Sequence, residues 1–235
     1  TVSGAALTTD RNGTVGRAYL FDGTNDKITA GGSSALASIE NVTIAAWVYI
    51  DANGSALPDA GIVDRTDGSA YLRTSYNGKP NFASNTPYQE TVSDNVLSRA
   101  QWHWVVATYD GNAKRLYVDG VLDKTDTVGA NKFSWGASGL KIGMEGANHW
   151  FRGKLDEIRI YNRALSAAEV GRLHQLELPP LPVIGAHPQS QNVAVDSNAT
   201  LATEVYGATN YQWQKGGVDI NGSTATTLTM SNVQI

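Results

Sequence analysis

The chain has 235 residues, a formal net charge of −4 and only 17% charged residues. It contains no cysteine, which excludes disulfides, thiolate metal sites and cysteine nucleophiles together. No basic block marks a nucleic-acid partner, and no apolar window of about 20 residues marks a membrane insertion. Glycine reaches 24 residues among abundant Asn, Ser and Thr, the composition of an all-β protein rich in turns. The chain opens at Thr1 without Met or a signal-peptide pattern, so it reads as part of a longer precursor. A cysteine-free, turn-rich surface fits a secreted or cell-surface bacterial protein.

In chain order, 18–21 and 27–29 are short strand runs on either side of the turn Asp22-Gly-Thr-Asn-Asp26. Segment 42–50 (VTIAAWVYI) places Val42, Ile44, Ala46, Val48 and Ile50 on one face and Trp47 and Tyr49 on the other. Further strands are expected at 61–64, 69–75 and 79–83. Segment 102–109 (WHWVVATY) is apolar on both faces and reads as a central strand. Asp119-Gly120 predicts a tight hairpin between 115–118 and 121–125. Strands at 140–144 and 154–161 complete the set. Spacing of about 8–12 residues implies a sandwich or barrel. One helix is expected over 167–176, opened by the capping box Ser166-Ala-Ala-Glu169. Pro179-Pro180-Leu181-Pro182 is a stiff linker, beyond which 200–205, 211–215 and 226–230 read as strands.

Four segments carry a resemblance: YLFDGTNDKI (19–28), VTIAAWVYI (42–50), QWHWVVATYDGNAKRLYVDGVL (101–122) and GKLDEIRIYNRALSAAEV (153–170). In order and spacing, residues 1–177 resemble a laminin G-like module of the concanavalin A-like lectin/glucanase superfamily. The resemblance implies a two-sheet antiparallel jelly-roll sandwich with one short helix. Residues 185–235, after the linker 178–184, resemble the front of a bacterial immunoglobulin-like β-sandwich, with Trp213 in the place of its buried tryptophan and the later strands missing.

Catalysis is not expected. The laminarinase-type enzymes of the superfamily carry Glu-x-Asp-x-x-Glu on one strand, and no such motif occurs. Asp156 and Glu157 are adjacent and point to opposite faces, while Glu90 and Asp94 read as loop residues. The four His residues are scattered without metal-ligand spacing. Asp156 alternates with Ile158 and Ile160, which predicts an inward carboxylate that is either hydrogen-bonded or metal-bound. Hard oxygens suit Ca²⁺. The resemblance implies a structural Ca²⁺ held by Asp156 and the Asp22 region, with Asn25 and Asp26 as weaker ligands.

Of the six Trp residues, Trp47, Trp102 and Trp104 read as packing. Trp135 and Trp150 lie in Gly/Asn/Ser-rich loops, where an aromatic ring can stack on the apolar C–H face of a sugar. Trp150 can equally be structural. Phe151, Tyr76 and Tyr88 extend the set. Arg65, Arg73, Asn81, His149 and Arg152 are candidate partners for hydroxyls or anionic groups. The resulting reading is a non-catalytic, lectin-like module that tethers a larger protein to polysaccharide. Its rivals are an adhesive domain contacting protein, and an accessory domain of an enzyme whose catalytic part lies elsewhere.

Overall fold

The computed structural model describes residues 1–31, 40–52, 59–65, 70–75, 77–85, 88–130, 139–178, 182–208 and 210–234. The chain divides into two compact units, Thr1–Glu177 and Leu178–Ile235.

The strands of the first unit are β1 (Val2–Ser3), β2 (Ala6–Thr8), β3 (Ala18–Asp22), β4 (Lys27–Ala30), β5 (Val42–Ile50), β6 (Ala60–Arg65), β7 (Ala70–Thr74) and β8 (Pro80–Asn85). They continue with β9 (Tyr88–Val92), β10 (Trp102–Tyr109), β11 (Ala113–Val118), β12 (Val121–Thr127), β13 (Leu140–Ile142), β14 (Met144–Glu145), β15 (His149–Trp150) and β16 (Arg152–Tyr161), before helix α1 (Ala167–Glu177). Among the described residues they build two seven-stranded antiparallel sheets, in the orders β1-β4-β13-β6-β7-β8-β9 and β12-β11-β10-β5-β16-β3-β2. This is the expected jelly-roll sandwich.

Strand β5 shows why the sheets pack as they do. Val42, Ile44, Ala46, Val48 and Ile50 enter the core between the sheets, with Leu72 and Phe82 opposite. Ala45 and Trp47 face outward into a second apolar cluster with Trp104, Tyr117, Leu165 and Val170. Helix α1 covers that cluster, so β5 and β10 are apolar on both faces as their sequences require. At the helix start, the Glu169 amide donates to Ser166 Oγ (3.3 Å) and the Ser166 amide donates to Glu169 Oε2 (2.8 Å), which closes the capping box. Asp119 and Gly120 both take positive φ (50° and 80°), as a tight hairpin turn demands.

His174 docks the helix. Its buried ring stacks on Trp104 (5.5 Å, 16°) and tilts against Trp47 (5.8 Å, 34°). Burial holds its pKa below the ordinary histidine value, partly opposed by Asp119. The unfolded chain titrates His174 near 6.5, so on acidification it takes up this proton before the folded chain does. His174 thus contributes stability above about pH 6.5 that is lost as pH falls through the lower folded value. Melting temperatures measured between pH 7 and 5 should fall less steeply in His174→Phe than in the parent; equal slopes would refute this role.

The second unit holds β17 (Val183–Ala186), β18 (Ala199–Ala202), β19 (Glu204–Tyr206), β20 (Gln214–Lys215), β21 (Val218–Asp219) and β22 (Thr227–Met230). These pair as β17-β19, β18-β22 and β20-β21. Trp213, expected in a core, is only partly buried. Its Nε1 donates to Ala225 O (2.8 Å), and its ring lines an open cavity of about 220 Å³ with Ile184, Val205 and Tyr211. Among the described residues no helix is long and apolar enough to cross a membrane.

Candidate functional site

The site is built on the outward face of the first sheet. Along β7, Ala70 and Leu72 enter the core, so Tyr71 and Arg73 face out. The register places Arg73 opposite Gly61 on β6 and Asn81 on β8. Tyr71 lies opposite Asp64 and Ala83, and Ala83 opposite Glu90 on β9.

Gly61 decides what lies above Arg73. A Cβ there would come within 2.2 Å of the Met144 carbonyl carbon and 2.3 Å of the Glu145 nitrogen. Only glycine therefore lets the β14-β15 hairpin close on the sheet. The hairpin is also held by the Gly146 amide, which donates to Asp64 Oδ2 (3.1 Å). Glu145 is thereby carried over Arg73.

Three carboxylates converge on the Arg73 guanidinium. Nη1 contacts Asp59 (3.0 Å) and Glu145 (3.2 Å), and Nη2 contacts Glu90 (2.9 Å). The guanidinium also lies 4.6 Å from the Tyr71 ring centre. The Arg73 side chain is 9% exposed. Burial alone would lower its pKa, but the Glu90 hydrogen bond, with Tyr71, Asp59 and Glu145, more than offsets this and keeps the cation secure. Burial, and then the hydrogen bond to Tyr88, push the Tyr71 phenol well above its usual value, so it stays protonated. Its hydroxyl donates to Tyr88 Oη (3.2 Å). Asn81 is fully buried, and its Nδ2 donates to Glu90. His149 Nδ1 lies 2.7 Å from Glu145 Oε2. The rim of this rigid polar floor is reachable: Tyr88 is 56% exposed and the His149 side chain 40%.

Of the expected sugar-contacting residues, the structure brings together Arg73, Tyr88 and His149, with Asn81 beneath them. Others lie elsewhere. Phe151 is a correction: it is fully buried, packed edge-on against Phe21 (6.1 Å, 80°), and cannot meet a ligand. Arg65 is likewise buried. Trp150 pairs with Met144 while His149 pairs with Glu145, so the two rings take opposite sides of the hairpin. Trp150 accordingly lies beside Lys27 (5.9 Å), away from Arg73. Arg152, in β16 of the other sheet, donates to Asp51 (3.0 Å). Trp135 and Tyr76 lie outside the described residues. Glu90, read as a loop residue, is in strand β9, and the roles of Asp59, Glu90 and Glu145 are new.

The residues expected to share one Ca²⁺ do not fit it. Asp22 pairs with Arg152 and Tyr19 with Leu155, which puts Asp156 about 13 Å along the strand from Asp22. Asp156 also faces the wrong way. A β-bulge between Asp156 and Arg159, with Glu157 at φ 47°, breaks the alternation with Ile158 and Ile160. Asp156 therefore lies opposite Trp47, on the outward face. There Arg11 Nη1 contacts it at 3.1 Å, and the Glu157 amide donates to it at 2.8 Å. Burial raises its pKa despite these two partners. Arg11 lies over Trp47 (4.8 Å) and also bonds Glu177, tying the helix end down. Asp22 Oδ1 caps its own turn at Thr24 N (2.7 Å) and Asn25 N (3.4 Å), and Asp26 Oδ2 accepts from Asp22 N (2.8 Å). Among the described residues no group of three or more acidic or His side chains is arranged to hold a metal.

Two seven-stranded sheets, a helix sealing one outer face and a polar cluster on the other define a concanavalin A-like jelly roll. A model of the Laminin_G_3 family matches residues 22–171, and the chain belongs to that family of the concanavalin A-like lectin/glucanases superfamily. Among curated proteins no sequence relative is found. Similar solved structures include domain 4 of AbnA, a GH43 extracellular arabinanase from Geobacillus stearothermophilus, in complex with arabinotriose. It has 20% identity and a TM-score of 0.60, over 74% of this chain and 82% of that one. The receptor binding domain of botulinum neurotoxin mosaic serotype C/D has 14% identity and a TM-score of 0.61, over 75% of this chain and 45% of its own. A SAP-like pentraxin from Limulus polyphemus has 15% identity and a TM-score of 0.53, over 67% of this chain and 81% of its own. The chain thus spans about half of the toxin binding domain that it matches. At these identities the likeness is one of fold.

Proposed function

We propose that the first unit is a non-catalytic carbohydrate-binding module of an extracellular protein, and that it takes its glycan on the Arg73 face. The observation that carries this reading is the exposed Tyr88 and His149 standing over a floor of locked polar side chains. A sugar needs an aromatic surface for its C–H face and fixed hydrogen-bonding groups for its hydroxyls. A floor already held by ion pairs supplies the second without reordering on binding. The arabinotriose complex of a domain with the same fold is consistent with this reading. The same fold also serves the receptor binding domain of the neurotoxin and domain 4 of the arabinanase.

Hydrolysis is not part of the proposal. Glu90 and Glu145, the paired acids nearest the rim, are both engaged by Arg73, whereas glycoside cleavage needs one carboxyl as proton donor and another as nucleophile or base. Reducing-end assays on the purified chain should register no product.

Calorimetry of the full chain against a panel of oligosaccharides tests the site. Tyr88→Ala should weaken binding by about 1–3 kcal/mol, as loss of one stacking ring does. Trp150→Ala, across the hairpin, should leave it within a factor of two. Unchanged affinity in Tyr88→Ala, or loss in Trp150→Ala, would move the site away from Arg73.

A further inference from the structure

We infer that the Arg73 face selects neutral or amine-bearing glycans and rejects uronic and sulfated ones. This rests on the reading of the cluster as a sugar site, and it reverses the role an arginine suggests in the sequence. A lone Arg on a binding face would grip a carboxylate or sulfate with two parallel donors. Here both terminal nitrogens are already taken, by Asp59, Glu145 and Glu90. Three carboxylates against one guanidinium leave the cluster net negative. His149 adds at most one positive charge, and only when protonated beside Glu145. Lys141, opposite Asp64 on this sheet, donates its Nζ to Gly146 O (3.2 Å) rather than to the cluster. Lys114 lies inside the sandwich, its Nζ on Ser84 Oγ (2.8 Å) and Gln89 O (2.7 Å), and cannot reach a ligand on the outer face.

A second observation points the same way. Asn81, fully buried under Glu90 and on the same sheet face as Arg73, has an Oδ1 with no hydrogen-bond partner. Buried as it is, this unanswered acceptor cannot meet a ligand directly, but it adds to the electronegative character of the floor beneath the rim. The unpaired Arg73 Nε belongs to the guanidinium whose charge is already offset threefold. Neutral hydroxyls and ammonium groups are donors to such a surface, while an anion meets like charge with its own water stripped away.

Two arms on the full chain keep this claim apart from the carbohydrate reading. In the first, polygalacturonate and its fully methyl-esterified form, which share backbone and linkage and differ in the charge at C6, are compared by calorimetry at low salt. The neutral ester should bind at least tenfold tighter, and Glu90→Gln should narrow the gap several-fold. Equal or tighter binding of polygalacturonate would overturn the inference. The second arm needs no polysaccharide. Glucosamine below its pKa and glucuronate at neutral pH are titrated while the His149 and Tyr88 resonances are followed by NMR. Glucosamine should shift them and glucuronate should not. If no polysaccharide binds but this pattern holds, the carbohydrate role fails and the charge selection stands. Shifts with glucuronate, or with neither probe, would refute the selection itself.

Discussion

Replacing Arg73 with Met should cost about 3 kcal/mol of folding stability, because it leaves three carboxylates converging on a site with no cation. The side chain is only 9% exposed, so water cannot take over the role of the guanidinium. Each partner comes from a different place in the chain: Asp59 just before β6, Glu90 from β9 and Glu145 from the hairpin. Their repulsion should therefore loosen the hairpin from the sheet as well as lower the global stability. Arg73→Lys should recover only part of the loss, since an ammonium lacks the planar fork that serves Nη1 and Nη2 contacts together. Urea unfolding of the three proteins at neutral pH decides the matter. A Met variant as stable as the parent would mean that the cluster contributes nothing net.

Trp104→Ala should cost about 3–5 kcal/mol, the range for removing a buried aromatic. Trp104 is 1% exposed and carries both the stacked His174 ring and the outer face of β10. Its loss removes the platform on which α1 sits, so the near-ultraviolet aromatic signal should weaken and α1 should become the first element to exchange its amide hydrogens. The cost should exceed that of His174→Ala, which leaves Val170 and Leu165 in place over Trp47 and Ala45. Equal protection of α1 in the Trp104 variant and the parent would show that the helix does not depend on this stack.

Much of the fold was legible in the sequence where one residue's neighbours decide its state. The two-faced pattern of β5, the Asp119-Gly120 turn and the Ser166–Glu169 capping box are local features, and the structure contains all three. What escaped depended on distant partners. Strand β9 (YQETV) shows weak alternation because Glu90, on the outward face, is there for Arg73 rather than for solvent. Arg73 itself looked like a free cation since none of its three partners is within ten residues in the chain. Asp156 was misplaced because a bulge two residues long reverses which face it takes. Trp150 and Phe151 are neighbours in one short segment, and only the burial of Phe151 against Phe21 separates their roles.

Hydroxyl-radical footprinting of the full chain, with and without a saturating neutral oligosaccharide, reads out whether a glycan lies on the Arg73 face, since Tyr88 and His149 are both oxidisable and exposed. Bound sugar should protect Tyr88 and His149, with the exposed part of Trp213 in the second unit unchanged. Protection confined to Trp213 and Tyr211, or oxidation of Tyr88 and His149 undiminished by bound sugar, would contradict that placement.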